Sequence, residues 1–349
     1  MVYVWTRHMY LRDRVAVVSN HVAEVSNGEP LEVLEHNRRF LRVRTEKNVI
    51  GWIPERAVID EKTYGVFEQL ARENKDDPVI AVGTLRDDVY EHVAPGRDTD
   101  RFHLLAGDGK VQMLVRASVP RGGSLGQPAA TKHVEPKSSA LAKPDADDIP
   151  PAPREPETDA LPMEDWWLVR DSEGQVGWIL GNRVDVDVPL NVAQYAEGQK
   201  IVGAYVIAKV HDDEATDVPD HNVPEYVTAL APPKSGLPYD FDQIRVFTWS
   251  LKHHRYETAF RIHPIQGFLP VKISSETTDK GTEPVFSFQI ASSPDVAINP
   301  DTGIAKPAQE RTISYAMRDT LVKRVGPDMA PIPLMHEPGE KKAEKRRRK

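Results

Sequence analysis

The strongest constraint on the fold is an internal repeat. The segments Phe40-Leu41-Arg42-Val43-Arg44 and Trp166-Trp167-Leu168-Val169-Arg170 each run into a short polar turn and then a Gly-Trp-Ile triplet, Gly51-Trp52-Ile53 and Gly177-Trp178-Ile179. The interval from Val43 to Gly51 equals the interval from Val169 to Gly177. The turns Thr45-Glu46-Lys47-Asn48 and Asp171-Ser172-Glu173-Gly174 differ in letters but share the polar chemistry of hairpin tips. Upstream, Gly28-Glu29-Pro30-Leu31 aligns with Gly109-Lys110-Val111-Gln112, each a turn glycine leading into a strand. More loosely, Leu11-Arg12-Asp13-Arg14 falls near His92-Val93-Ala94-Pro95-Gly96-Arg97. Two copies of one small β unit are therefore expected to pair their strands alike.

The rest of the chain divides around these copies. The expected domains are a small barrel over 1–60, a connector helix over 61–76, a second barrel over 77–190, a third β-rich domain over 191–326 and a basic tail over 327–349. Within the connector, Tyr64, Phe67, Leu70 and Ala71 form an apolar stripe at helical spacing across Lys62 to Asn74, and Pro78 stops it. Residues 120–162 interrupt the second barrel with a Pro, Ala, Lys, Asp and Glu mixture that offers little to bury, so this insertion is expected to be disordered. Strands are expected at Ile201–Val210, Tyr226–Leu230, Ile244–Leu251, Tyr256–Arg261, Val285–Ala291 and Thr312–Ala316, where aromatic and β-branched residues alternate with polar ones. Asp185 to Val192 alternates likewise and reads as a strand that docks the third domain on the second barrel. The fold class is thus mostly β: two small barrels, one helix and a sandwich- or barrel-like third domain.

Composition narrows the function classes. The chain has no Cys, which excludes disulfides, thiolate catalysis and cysteine-ligated zinc. A net charge of −8 argues against a general nucleic-acid binder. No apolar run approaches the ~20 residues of a membrane-spanning helix. There is no His-Glu-x-x-His, Gly-x-Ser-x-Gly, Walker or dinucleotide motif, so neither a cofactor nor a metal is expected. His253, His254 and His263 lack ligand spacing and read as a solvated hairpin and its surroundings, and the acidic stretch from Asp212 to Asp220 reads as a solvated loop. The tail Lys341 to Lys349 could touch an anionic surface or simply aid solubility.

The two copies resemble bacterial SH3-type domains in the middle strands Phe40–Arg44 and Trp166–Arg170 and in the closing triplets at Trp52 and Trp178. About half the chain is covered, with departures at Leu11–Arg14 and at Phe40, where the family prefers other residues. The layout is similar to a group of secreted or lipid-anchored proteins. The resemblance implies a non-enzymatic envelope-binding or scaffold protein that holds peptide or glycan of the peptidoglycan type. It also implies an extracytoplasmic location, given an export signal upstream of Met1, and a cytoplasmic one otherwise. The alternatives are an accessory partner of a separate envelope enzyme and a hydrolase in the C-terminal domain. Candidate ligand-binding residues are Trp166, Trp178, Trp52 and Phe40. Each closing Trp either lines a groove or completes a core. Trp166 and Trp167 must face opposite sides of their strand, so the outer one, taken as Trp166, is either a recognition surface or covered by the third domain. Replacing residues 120–162 by a short Gly/Ser loop is expected to leave the thermal midpoint nearly unchanged; a large fall in a melting experiment would show that the insertion packs.

Overall fold

A computed structural model describes residues 1–122, 162–278, 281–293 and 296–333. The first repeat comprises β1 (Val2–Val4), β2 (His8–Arg12), β3 (His21–Ser26), β4 (Pro30–Asn37), β5 (Phe40–Arg44), β6 (Ile50–Pro54) and β7 (Val58–Asp60). Helix α1 (Glu61–Glu73) follows, its first turn capped by Asp60, which accepts from the Thr63 amide at 2.8 Å. The second repeat comprises β8 (Ala81–Leu85), β9 (Val89–His92), β10 (Arg101–Leu105), β11 (Lys110–Pro120), β12 (Met163–Arg170), β13 (Val176–Leu180) and β14 (Val184–Val186).

The two repeats have one topology. Their sheets run β3-β2-β6-β5-β4-β1-β7 and β10-β9-β13-β12-β11-β8-β14, the same order strand for strand. The end strands are not paired with each other, so each sheet is open and the expected closed barrel is not formed. Hairpin register explains the equal sequence interval. Val43 pairs with Gly51 and Val169 with Gly177, and the intervening turns close by the same bonds, Thr45 N to Val49 O and Asp171 N to Gln175 O, both 3.0 Å. Asn48 and Gly174 occupy the same left-handed position, at φ 60° and 85°. One alignment shifts by a residue. Gly28 donates to Val4 O and Asp108 to Leu85 O, both at positive φ, so Gly28 corresponds to Asp108 rather than to Gly109.

The cores correspond as well, with one exception. Val4, Val25, Leu31, Leu41, Val43 and Ile53 match Leu85, Leu105, Val111, Trp167, Val169 and Ile179. Leu11 sits against Gly51 in the first repeat, and Glu91 sits against Gly177 in the second. Glu91 is 0% exposed, and neither of its carboxylate oxygens has a hydrogen-bond partner among the described residues. Burial, with a smaller contribution from Asp171, pushes its carboxyl well above the usual range.

Inserted residues sit at the tip of the β11–β12 hairpin. Pro120 pairs with Met163, and Arg121 N bonds Pro162 O at 2.9 Å, so the ends of the insertion lie together. The expected disorder over 120–162 and over the basic tail otherwise falls outside the described residues. The chain leaves β14 at Val186 and enters a turn of helix, α2 (Leu190–Ala193), just after Pro189, so the expected continuous strand over Asp185 to Val192 is not formed.

The C-terminal domain is a pair of antiparallel meanders. One is β15 (Lys200–His211), β16 (Asn222–Ala231), β17 (Gln243–Ser250) and β18 (Arg255–Ile262); the other is β19 (Gly267–Thr278), β20 (Gly281–Ala291), β21 (Glu310–Arg318) and β22 (Leu321–Val325). Val227, Ile244, Val246 and Phe241 meet Phe286, Phe288, Ile313 and Tyr315 in a shared core. The domain runs past the expected boundary at 326: Asp328 pairs with Arg311 at 2.7 Å and Ile332 packs on the core.

The three units pack into one body. Asn27 donates to Phe102 O at 2.8 Å and accepts from Leu104 N at 3.1 Å, and Tyr3 stacks on Tyr64 at 3.8 Å. The other junction centres on Arg116, whose side chain is 7% exposed. Its guanidinium donates to Asp240 Oδ1 (2.9 Å), Leu237 O (2.9 Å), Tyr239 O (2.6 Å), Ser118 Oγ (3.3 Å) and Asp165 Oδ1 (3.3 Å).

Two outcomes follow from this packing. Glu91→Leu, which copies the first repeat, is expected to raise stability in denaturant by about 1–3 kcal/mol at neutral pH. Because the folded-state pKa is raised, the stability Glu91 allows is full below about pH 4.5 and is lost as pH climbs towards the folded-state value. Glu91→Gln should remove that downward slope, and an unchanged slope would assign it to other groups. Arg116→Ala is expected to cost about 3–5 kcal/mol, because two carboxylates lose their shared cation. Calorimetry should then show the C-terminal domain melting apart from the second repeat; a single unshifted transition would refute the assignment.

Candidate functional site

The structure pairs the four sequence-derived residues: Phe40 is equivalent to Trp166, and Trp52 to Trp178. In each repeat these positions lie on the outer face, because alternation sends Leu41, Ile53, Trp167 and Ile179 inward.

In the second repeat that face is covered. Trp166 is 2% exposed and Trp178 8%. They cluster with Leu114, Ala117, Leu168 and Val176, and Leu70 and Ala71 of α1 and Ile304 of the C-terminal domain pack on the cluster. His92 meets the Trp166 ring edge-on at 5.1 Å. Backbone and polar bonds hold the covers in place: Gly303 O accepts from Ser118 N at 2.7 Å, and Asn74 O accepts from Arg170 at 2.5 Å. Trp166 and Trp178 are thus buried and present no open surface in this structure, unlike the exposed recognition aromatics expected from the sequence. The aromatic does leave water through covering by α1 and the C-terminal domain.

In the first repeat the same face is open. Trp52 and Phe40 are half-buried. Trp52 lies directly between Arg12 on β2 and Arg42 on β5, its cross-strand partners on either side. The next row pairs Arg44 with Ile50, and exposed Tyr10 stacks on His21 at 4.3 Å. Arg42 reaches Glu35 at 3.6 Å and Arg44 reaches Glu32 at 3.1 Å, both solvent-screened pairs. Arg12 has no ion-pair or hydrogen-bond partner for its guanidinium among the described residues. An indole flanked by two guanidinium groups can stack on a flat apolar surface while pairing with acids on either side.

The two faces differ in chemistry as their environments require. The row Arg12–Trp52–Arg42–Glu35 corresponds to His92–Trp178–Leu168–Val115. Arg12 and Arg42 were not singled out from sequence. The available signal was the charge at these positions in one copy and its absence in the other.

Other polar clusters fasten the fold. Asp212 accepts from Trp249 Nε1 at 2.7 Å and pairs with His254 Nδ1 at 2.8 Å, which holds its carboxyl at about 2 and raises His254. His254 Nε2 faces Glu214 at 3.2 Å, so both ring nitrogens are engaged by acids. Ser250 Oγ and Glu257 both meet Nδ1 of His253, at 3.4 and 2.8 Å, whereas a proton relay needs them on opposite nitrogens. Among the described residues no group of three His, Asp or Glu is placed to hold a metal, and no helix is long and apolar enough to cross a membrane.

No protein-family model matches the chain, and no curated protein does. Among solved structures it is similar to NlpC2 from Trichomonas vaginalis at 8% identity and a TM-score of 0.16, over 74% of this chain and 91% of that one. A TM-score this low carries no argument about fold or activity.

Proposed function

We propose that the protein is a non-catalytic binding or scaffold protein of the cell envelope, with the first repeat as its SH3-like recognition module. The observation that carries this reading is the contrast between equivalent faces: one copy has its outer aromatics covered in cis, and the other leaves them open beside an unpaired arginine. The second repeat then serves as the mount that joins the first repeat to the C-terminal domain.

The chemistry of the open face suits an extended ligand with flat apolar surfaces and spaced carboxylates. A peptidoglycan-type strand has both, in its sugar rings and its acid-terminated peptides. Trp52 would stack on a ring, and Arg12 and Arg42 would pair with acids to either side. The reading goes with an extracytoplasmic location.

Co-sedimentation of the full chain with purified peptidoglycan tests it. Wild-type protein should be retained and should release no soluble fragments. Trp52→Ala and Arg12→Glu should each cut retention at least fivefold. Neither residue is in a core, so melting midpoints should move little. Retention unchanged by both substitutions would remove the first repeat from the site, and release of fragments would make the protein an enzyme.

A further inference from the structure

Away from the first repeat, a half-open cleft of 710 Å³ separates the second repeat from the C-terminal domain. A volume in the range of about 300–1,000 Å³ at a domain junction suits a small molecule. One wall is Met113, Trp167 and Val184 of the second repeat; the other is Ile201, Val202 and Leu237 of the C-terminal domain. The Arg116 network fixes these walls relative to one another, since it ties Leu237 O and Asp240 to the β11 strand. Gly236 N on Asp165 Oδ1 at 3.0 Å fastens the same loop.

Charge at the cleft is unevenly satisfied. Arg86 donates a bidentate pair of hydrogen bonds to Asp185, at 2.7 and 2.6 Å, and Arg97 does so to Glu164, at 2.9 and 2.8 Å. Arg116 is saturated by five acceptors. Lys200 and Lys234 also line the cleft, and neither ammonium has an ion-pair or hydrogen-bond partner among the described residues. The cleft therefore combines apolar walls with two lysines that have no counter-ion among the described residues, and because Asp165 and Asp240 share Arg116, its five lining cations exceed its four acids by one charge.

We propose that this cleft binds an amphipathic carboxylate of the fatty-acid type, its apolar body between Trp167 and Ile201 and its head group at Lys200 and Lys234. This site is separate from the face around Trp52, and its test uses none of the same residues. Dodecanoate below its micellar concentration should bind the full chain in a calorimetric titration with a stoichiometry of about one. Dodecanol should bind at least tenfold more weakly, because it has no charge to meet the lysines. Lys200→Glu with Lys234→Glu should weaken dodecanoate at least tenfold, and these exposed positions leave the core untouched. Ser235→Trp, which fills the cleft wall, should block binding of both probes. Absence of saturable binding, equal affinity for dodecanol, or affinity indifferent to the charge reversal would each overturn the proposal.

Discussion

Arg116 is the interaction on which the arrangement of this molecule depends. Its guanidinium lies between two carboxylates from different domains, Asp165 and Asp240, and takes in two backbone carbonyls from the C-terminal domain. Two acids around one cation leave an excess of negative charge, and local donors offset it. Asp165 also accepts from Ser118 Oγ at 2.5 Å and Gly236 N at 3.0 Å, and Asp240 accepts from Leu269 N at 2.9 Å. Such a network adds little net stability over a well-packed apolar contact, but it permits only one relative placement of the two surfaces. Ile304 reaches the Trp166–Trp178 cluster because that placement is fixed.

Covering one face changes what the sequence can afford there. Where α1 and Ile304 sit, the outer row carries Leu168 and Val115, and the tryptophans lose their exposure. Where nothing sits, the same row carries Arg42 and Glu35 around a half-exposed Trp52. A charged row keeps an open sheet face soluble, so charge alone would be unremarked. Unpaired Arg12 and the retained indole distinguish this face from an ordinary solvated one.

Local geometry was legible in the sequence, and tertiary choice was not. The repeat could be read because a hairpin turn closes through its own backbone, so equal spacing between Val43 and Gly51 and between Val169 and Gly177 enforces equal register. The helix was legible from its apolar stripe for the same reason. The alignment slipped at Gly28 because Asp108 meets the left-handed demand without being glycine. β19 and β22 escaped notice: the first holds Pro270 and a polar run, the second is short and basic, and both lie at sheet edges, where such residues are tolerated. No pattern announced that Glu91 would fill the place of Leu11, since a buried acid is invisible until its neighbours are known. Trp166 was singled out correctly as the outward member of its pair, yet its cover comes from residues far along the chain.

Rigid presentation ties these features together. Asn27 satisfies the Phe102 carbonyl and the Leu104 amide across the junction between the repeats, and Trp5 meets Tyr90 edge-on at 5.5 Å beneath the Arg101 guanidinium. Arg7 and Asp88 close the rim of that junction at 2.5 Å. The first repeat therefore does not swing on a tether; its open face holds a set direction relative to the second repeat and, through Arg116, to the C-terminal domain. A ligand meeting three adjacent strands of that face would order few new degrees of freedom on the protein side, so more of its contact energy would remain as affinity. The same rigidity keeps the apolar walls of the interdomain cleft apart, because collapsing them would require breaking the Arg116 network that sets their separation.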